Sequence, residues 1–186
     1  MGRIVVTEFI SLDGVIEAPG GGEGYKYDGW TFEFDRGDDG NRFKLEELQE
    51  AEAQLLGRRT YEGFAAAWPD RNDEYGFAEK MNTMPKYVVS KTLASADWEN
   101  STILRNLDEV AKAREQLSGD MLVAGSAQLV QGLLESDLVD ELRLMVFPVV
   151  LGTGKRLWGE TSDKKTFTLA EAKTVGEGVA VLTFRR

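Results

Sequence analysis

The sequence contains no cysteine and no histidine among its 186 residues. Without cysteine there are no disulfides, no thiol nucleophile and no thiolate metal site. Without histidine the chain lacks the Ser-His and Cys-His nucleophile pairs, and also the side chain that usually carries protons near neutral pH. An acid–base step in this protein must therefore use a carboxyl group, a tyrosine, a lysine or water.

Positive charge and long apolar runs are also scarce. Lysine and arginine total 22 against 32 aspartate and glutamate residues, which is a formal net charge of −10. Because a protein this acidic repels polyanions, we expect it to bind neither nucleic acid nor an anionic membrane. No apolar run reaches the roughly 18 residues that suggest a membrane-spanning helix, and the run near the N-terminus is too short for a signal peptide. The simplest interpretation is a cytoplasmic protein.

What the chain does contain is a regular alternation of β-branched and helical segments. Strands are predicted at 3–9, 54–57, 86–92, 120–125 and from 139. Helices are predicted at 43–56, 59–68, 73–84, 107–117 and 126–136. The end of the first helix is expected to change into the strand at 54–57. Two apolar segments flank 176–178, which predicts a final strand–turn–strand unit. This alternation favours a mostly parallel sheet covered on both faces, with at least one antiparallel strand added by the hairpin. Since there is no linker or repeat, we expect one domain over 1–186.

The stretch LLGRRTYEGF at 55–64 places two adjacent arginines at the predicted start of a helix. Gly57 lets the backbone turn close to a ligand, and Arg58, Arg59 and Thr60 open the helix. Cations at a helix N-terminus oppose the helix dipole, so the arrangement is mildly unfavourable unless an anion lies nearby. A phosphate would take charge-assisted hydrogen bonds from guanidinium, hydroxyl and backbone N–H groups together. The alternative is that the arginines pair with neighbouring acids such as Glu62.

Two further strand ends carry glycine or hydroxyl residues. In LVAGSAQLV at 122–130, Gly125 permits close backbone approach and Ser126 is expected to cap the following helix. In VVSKT at 88–92, hydroxyl side chains and Lys91 leave the end of a strand. Taken singly, an ordinary tight turn explains the first and a solvated lysine the second. Because the carboxyl ends of parallel strands meet at one edge, three such junctions together favour an extended ligand with several phosphates.

Five segments, taken in order, resemble the dihydrofolate reductase superfamily. The likeness is greatest to its branch that contains the reductase domain of the bifunctional riboflavin-biosynthesis deaminase-reductase. These segments are FISLDGVIEAP, LLGRRTYEGFAAAWP, KYVVSKTL, LVAGSAQLVQGLL and DELRLMVFPVVLGTGKRLW, and the resemblance extends over roughly 3–186. It implies a dihydrofolate reductase-like three-layer α/β/α fold, with a mostly parallel eight-stranded sheet and an antiparallel C-terminal hairpin. It also implies NADPH as the cofactor.

By that resemblance, the three junctions would supply the cofactor contacts. The residues are Gly57, Arg58, Arg59 and Thr60, then Ser90, Lys91 and Thr92, and finally Gly125, Ser126, Ala127 and Gln128. The first group would bind the adenosine 2′-phosphate through an arginine and the pyrophosphate through the threonine. The second group would line the adenosine. The third group would lie along the pyrophosphate and the nicotinamide ribose.

The resemblance defines the substrate side less specifically. Candidate substrate-binding residues are Asp13 in the SLDG motif, Trp30, Glu33 and Phe34 after a glycine-rich insertion, and Phe64 and Trp68 on the second helix. Asp13 matches the riboflavin-type reductases, and an aspartate that closes a turn fits equally well. Phe64 and Trp68 are equally compatible with core packing. Trp30 and Phe34 would belong to a mobile lid, since five glycines lie between residues 20 and 29.

Together these features predict an NADPH-dependent reductase of a small heterocyclic substrate that works without a metal. The nearest family precedent is 5-amino-6-(5-phosphoribosylamino)uracil reductase of riboflavin biosynthesis, although Lys155 and Arg156 are the only candidates for a second basic cluster that would hold the ribose phosphate. Two alternatives stay open: a dihydrofolate reductase-type enzyme, and a non-catalytic nucleotide- or small-molecule-binding module. We also expect a homodimer, since ELRLMVFPVVL and VAVLTF are more apolar than one helix layer would cover.

Overall fold

The computed structural model describes residues 1–186 as one eight-stranded sheet flanked by helices. The strands are β1 (Ile4–Ile10), β2 (Ala53–Gly57), β3 (Lys86–Val89), β4 (Ser101–Leu104), β5 (Met121–Val123), β6 (Glu141–Val146), β7 (Thr168–Val175) and β8 (Val179–Arg185). The helices are α1 (Gly37–Glu50), α2 (Arg58–Ala67), α3 (Phe77–Thr83), α4 (Leu107–Gln116) and α5 (Ala127–Glu135). A single-turn 3₁₀ helix spans Trp30–Glu33.

The strands are arranged in the order β4-β3-β2-β5-β1-β6-β8-β7. The first six are parallel to their neighbours, and β8 pairs antiparallel with both β6 and β7. This confirms the expectation of a mostly parallel sheet closed by an antiparallel hairpin. Because the six parallel strands end at the same edge, the turns that follow β2, β3 and β5 come together there.

The helices form one layer on each face of the sheet. On β1, Val5 belongs to a buried cluster with Leu48 of α1 and Tyr61 of α2. The next residue, Val6, belongs to a larger cluster with Val110 of α4 and Val130 of α5. Successive strand residues point to opposite faces, so this division places α1, α2 and α3 on one side and α4 and α5 on the other. The predicted three-layer α/β/α architecture is therefore confirmed.

The ends of several elements differ from the sequence prediction by a few residues, and two elements differ more. Helix α1 begins at Gly37, earlier than the predicted start at 43. The prediction missed the first turn because that turn is polar, contains glycine and has no apolar periodicity. Strand β4 was not predicted at all. It lies at the edge of the sheet and only Leu104 of its four residues is buried, so its hydrophobic pattern is weak. Helix α4 is capped as predicted, since the Asn106 side chain accepts a hydrogen bond from the backbone N–H of Glu109.

Lys86, the first residue of β3, is fully buried. Its Nζ donates hydrogen bonds to the carbonyl oxygens of Asn82 at 2.7 Å, Met84 at 2.8 Å and Glu99 at 2.9 Å. The ammonium group also lies 4.3 Å from the centre of the Trp98 ring. Burial lowers the pKa of Lys86 to about 8, with Glu99 opposing the shift. Lys86 therefore ties the end of α3 and the residues before β4 to the start of β3.

We expect Lys86→Met to destabilise the protein by about 2–4 kcal/mol, since it keeps the apolar stem and leaves three carbonyl groups without their donor. Urea unfolding followed by circular dichroism would measure this change. Lys112 on α4 is exposed, so Lys112→Met serves as the matched control and should change stability by no more than about 0.5 kcal/mol. Equal stabilities of the two variants would contradict a structural role for Lys86.

No helix in the structure combines the length and the apolar character that are needed to span a bilayer.

Candidate functional site

The turns that follow β2 and β5 lie directly against each other. The backbone N–H of Gly57 donates to the carbonyl oxygen of Gly125 at 3.2 Å. A Cβ atom on Gly57 would clash with the Ser126 hydroxyl and lie 3.0 Å from the Ser126 backbone nitrogen. A Cβ atom on Gly125, where φ is +92°, would lie 2.8 Å from Thr60 Oγ1. Only glycine fits at these two positions without displacing its neighbours, so the predicted junctions at Gly57 and Gly125 form one continuous surface.

The N-termini of α2 and α5 open onto this surface. Neither helix has an acidic residue in its first turn, and neither has a side-chain hydrogen bond at its N-cap. The predicted cap by Ser126 is therefore wrong, because its hydroxyl faces Gly57 instead of closing α5. The first backbone N–H groups of both helices thus lack a side-chain acceptor, which is an arrangement suited to an anion.

Arg58 joins the junction at 88–92 to the junction at Gly57. Its Nη1 donates to Thr92 Oγ1 at 3.2 Å, which links the start of α2 to the turn after β3. That turn is held by Ser90, whose Oγ accepts hydrogen bonds from the backbone N–H groups of Thr92 and Leu93. The Lys91 side chain is exposed. The three junctions predicted from the sequence are therefore neighbours in space.

The charge of the arginine pair is barely neutralised within the chain. Arg58 Nε lies 3.9 Å from Glu62 Oε1, and both side chains are about half exposed. Exposed pairs at this spacing contribute only about 0.3–0.5 kcal/mol. Arg59 is exposed and makes no ion pair or side-chain hydrogen bond. Pairing with neighbouring acids therefore does not account for two cations at this helix start.

Glu8 is a candidate site residue that the sequence analysis missed. It lies on the central strand β1, only 7% of it is exposed, and its Oε1 has no hydrogen-bond partner. Burial raises the pKa of Glu8 to about 8, although Lys44 and the backbone N–H of Gly125 oppose the shift. The signal was present in the sequence, since an acidic residue interrupts the apolar run IVVTEFI. Glu8 therefore places a largely neutral carboxyl group beneath the glycine junction.

We expect Glu8→Gln to remove a pH dependence of stability. Because its folded pKa exceeds the ordinary value, the stabilisation by Glu8 is complete at acid pH and is lost as pH rises to about 8. At roughly 1.4 kcal/mol per pKa unit, the variant should gain about 2–4 kcal/mol on the wild type between about pH 5 and pH 8. Urea unfolding at several pH values would measure this. No histidine titrates in that window, and parallel stability profiles would refute the expectation.

The Asp13 carboxylate is held by hydrogen bonds within the protein. It accepts hydrogen bonds from Ser11 Oγ at 2.6 Å and from the backbone N–H groups of Leu151 and Gly152. These bonds, with that of Ser11 the strongest, lower the pKa of Asp13 to about 2. Arg156 also lies 3.5 Å from this carboxylate. Since both oxygens are occupied in holding the 151–152 loop, the turn-closing interpretation accounts for Asp13.

The aromatic residues of the proposed lid lie in the core. Trp30 is 2% exposed, packs edge-on against Phe147 at 5.4 Å, and donates from Nε1 to the carbonyl oxygen of Glu17. Phe34 packs against the same phenylalanine at 5.8 Å, whereas Glu33 is exposed. The segment is therefore anchored in its middle by Trp30, and the expectation of a lid built on Trp30 and Phe34 does not fit this packing.

Phe64 lies on α2 and Trp68 is the C-cap residue of that helix, and both pack against the cluster beneath α1, α2 and α3. A neighbouring groove has a volume of about 710 Å³. Its lining includes the acidic residues Glu62, Asp97 and Glu99, which would repel a phosphorylated ligand. The converging junctions, and not this groove, are therefore the candidate nucleotide site.

A second cationic surface lies beside Phe9 on the α1 side of the sheet. Arg36 and Lys44 lie 5.2 and 4.9 Å from the centre of the Phe9 ring. Lys44 donates to Thr7 Oγ1 and forms an ion pair with the buried Glu47, whereas Arg36 makes no ion pair and burial lowers its pKa. The sequence analysis found no such pair, because the two cations meet only when α1 packs on β1.

The layered sheet with its antiparallel C-terminal hairpin has the dihydrofolate reductase-like three-layer architecture. Residues 3–181 match the RibD C-terminal domain, and the chain belongs to that family.

Two curated relatives are the uncharacterised proteins YyaP and YwjB of Bacillus subtilis (strain 168). YyaP is 28% identical over 188 residues, covering 98% of this chain and 94% of its own length. YwjB is 28% identical over 183 residues, covering 95% and 94%.

Two solved structures share the fold. A candidate riboflavin biosynthesis protein from Shewanella sp. PV-4 has a TM-score of 0.74 at 21% identity, covering 99% of this chain and 98% of its own. A pyrimidine reductase-like protein from Corynebacterium diphtheriae has a TM-score of 0.67 at 13% identity, covering 98% and 91%.

Proposed function

We propose that this protein is an NADPH-dependent reductase of a small heterocyclic substrate. The observation that carries the proposal is the contact between the Gly57 and Gly125 turns, which brings two uncapped helix N-termini together beside two exposed arginines. Backbone N–H groups and guanidinium groups in that arrangement suit a ligand with several phosphates. When bound, the nicotinamide supplies the hydride, and the protein positions it and excludes water.

The residues that would hold the cofactor follow from the three junctions. Thr60 and the first N–H groups of α2 and α5 would bind the pyrophosphate. Arg58 or Arg59 would bind the 2′-phosphate, and the turn containing Ser90, Lys91 and Thr92 would line the adenosine. Residues 125–128 would then run along the pyrophosphate and the nicotinamide ribose.

We propose that the substrate is a pyrimidine-like ring that carries an acidic group. The partly buried Phe9 ring offers an aromatic contact, and Arg36 supplies a cation without an internal ion-pair partner. One of the structural neighbours is a pyrimidine reductase-like protein, which is consistent with this substrate class. Lys155 and Arg156 suit this role less well, because Arg156 already contacts Asp13.

NADPH oxidation assays with three substrate classes would test the proposal: the phosphoribosylated aminopyrimidine of riboflavin biosynthesis, dihydrofolate and simple carbonyl compounds. Turnover with the pyrimidine is the expected result. Turnover with dihydrofolate alone would point to a dihydrofolate reductase-type enzyme. Tight NADPH binding without turnover across the panel would favour a non-catalytic binding module, and the absence of NADPH binding would refute the proposal.

We further propose that the protein forms a homodimer through the β7 side of the sheet. Strands β6 and β8 are internal, and their apolar residues are buried or partly buried within one subunit, so they do not require a partner. Strand β7, in contrast, is an edge strand that is exposed along nearly its whole length, and Leu169 is 52% exposed. Edge strands that stay uncovered tend to pair with another chain. Sedimentation equilibrium should show a dimer that Leu169→Lys weakens, and a monomer at all concentrations would contradict this proposal.

A further inference from the structure

The Glu8 carboxyl group is the most unusual polar group in the core. Its Oε1 has no partner, although buried polar atoms in folded proteins are nearly always hydrogen-bonded. Glu8 shares its face of β1 with Val6 and Ile10, and Leu144 of β6 lies beside it at the same register. An unpartnered carboxyl oxygen in apolar surroundings is costly, so its presence calls for a reason.

No cation within the chain is free to pair with this carboxyl group. The charged groups that act on it from α1 are Lys44 and Glu47, which already bind each other and Thr7. Strand β5 carries no charged residue, and the only one in α5 is Glu135 at its last position. On β6, Arg143 is engaged with Glu141. The other polar group that acts on the carboxyl group is the backbone N–H of Gly125.

The position of Glu8 relates it to the candidate nucleotide site. Gly125 belongs to the turn that contacts Gly57, and a Cβ atom there would meet Thr60. The carboxyl group therefore lies beneath the part of the junction along which the nicotinamide half of the cofactor would run, if the proposed function holds. A neutral carboxyl group offers one O–H donor and one carbonyl acceptor. Its geometric complement is an amide, which offers one N–H donor and one carbonyl acceptor.

We propose that Glu8 binds the amide edge of the ligand at the Gly125 turn, acting as a protonated carboxyl group. This inference rests on the proposed reductase function and assigns a further binding residue to the same site. Two ligands could supply the amide edge: the carboxamide of the nicotinamide, or the lactam of a pyrimidine substrate. Ionisation of Glu8 would remove the donor and leave a buried charge, so binding should weaken at alkaline pH.

Calorimetric titrations of the wild type, Glu8→Gln and Glu8→Leu would test this inference. The ligands are NADPH and an adenosine bisphosphate fragment that carries the 2′-phosphate but no nicotinamide, each measured from about pH 6 to pH 9. We expect NADPH affinity of the wild type to fall about tenfold above pH 8, since each further pH unit removes a tenfold share of the protonated form. Glu8→Gln should show no such fall, and Glu8→Leu should bind NADPH about tenfold more weakly at neutral pH. The fragment should bind all three proteins equally, which controls for phosphate ionisation.

The source of the amide is decided by adding a uracil derivative. If the pH dependence and the Glu8 effects appear only with the uracil derivative, the lactam is the partner and the inference stands. If NADPH and the uracil derivative bind the three proteins equally at every pH, the inference is overturned while the proposed function is retained. A wild-type protein that binds neither NADPH nor the fragment overturns both. Circular dichroism of Glu8→Gln, which has nearly the same shape as the wild-type residue, shows that the fold is kept.

Discussion

Replacing both Arg58 and Arg59 by alanine is expected to weaken NADPH binding by about a hundredfold or more, and to leave NADH binding nearly unchanged. The two guanidinium groups lie at a helix start in a protein of net charge −10, and neither is strongly paired within the chain. A charge-assisted hydrogen bond contributes about 1.5–3 kcal/mol, and each 1.4 kcal/mol corresponds to a tenfold change in affinity. Since NADH lacks the 2′-phosphate, its binding should not depend on this contact. Fluorescence titration of both cofactors would measure the two affinities.

The single variants identify which arginine contacts the 2′-phosphate. Arg58 already bonds Thr92 in the adenosine junction, so Arg58→Ala removes a bridge between two junctions as well as a cation. Arg59→Ala removes a cation alone. Arg42→Ala on α1 is the matched control, because Arg42 is an exposed arginine whose only ion pair is with Asp39 in the same helix. The idea fails if the wild type binds NADPH and NADH with equal affinity.

The second large effect is expected for Gly57→Ala. The backbone of Gly57 has φ of −73° and ψ of 158°, a conformation that alanine adopts without strain. The added methyl group would nonetheless collide with Ser126 and force apart the turns that follow β2 and β5. We expect a loss of stability of about 1–3 kcal/mol, as for other overpacked sites. We also expect NADPH affinity to fall by roughly tenfold to a hundredfold, because both helix N-termini lose their relative placement.

Gly63→Ala provides the matched control for this variant. Gly63 lies inside α2, and a Cβ atom there meets nothing within 4 Å. The same chemical change should therefore stabilise the helix by about 0.5–1 kcal/mol and leave cofactor binding intact. Thermal unfolding and NADPH titration of the two variants distinguish the steric clash at Gly57 from the effect of replacing any glycine by alanine. Wild-type affinity in Gly57→Ala would show that the contact between the turns is not part of the site.

The parts of the site that were predictable from the sequence are those that depend on neighbouring residues. Gly57, Arg58 and Thr60 lie in one short segment. The pattern of a glycine followed by cations and a hydroxyl residue at a helix start can be read directly from the sequence. Glu8 is different, because its meaning depends on burial beneath Gly125, far along the chain. The pairing of Arg36 with Lys44 around Phe9 is likewise set by how α1 packs.

For some residues the sequence alone was compatible with two different roles, and the local sequence pattern did not distinguish them. Asp13 fitted both a substrate contact and a turn, and its hydrogen bonds to the 151–152 loop favour the structural role. Trp30 fitted a lid because glycines surround it, yet it packs in the core against Phe147. In each case the deciding partner is distant in sequence, so composition and spacing carry no information about it.

By itself, the sequence determined the kinds of element except β4, their order along the chain and the limits on the chemistry. Hydrophobic period distinguishes strands from helices, their alternation favours a parallel sheet, and the lack of histidine restricts acid–base work to other groups. Only the tertiary structure decided that β2 lies next to β5 and that β5 lies next to β1. That order places Gly57 against Gly125 and Glu8 beneath them. The reason is physical: local backbone preferences act over a few residues, whereas the choice of neighbouring strands depends on burying the apolar faces of the whole chain together.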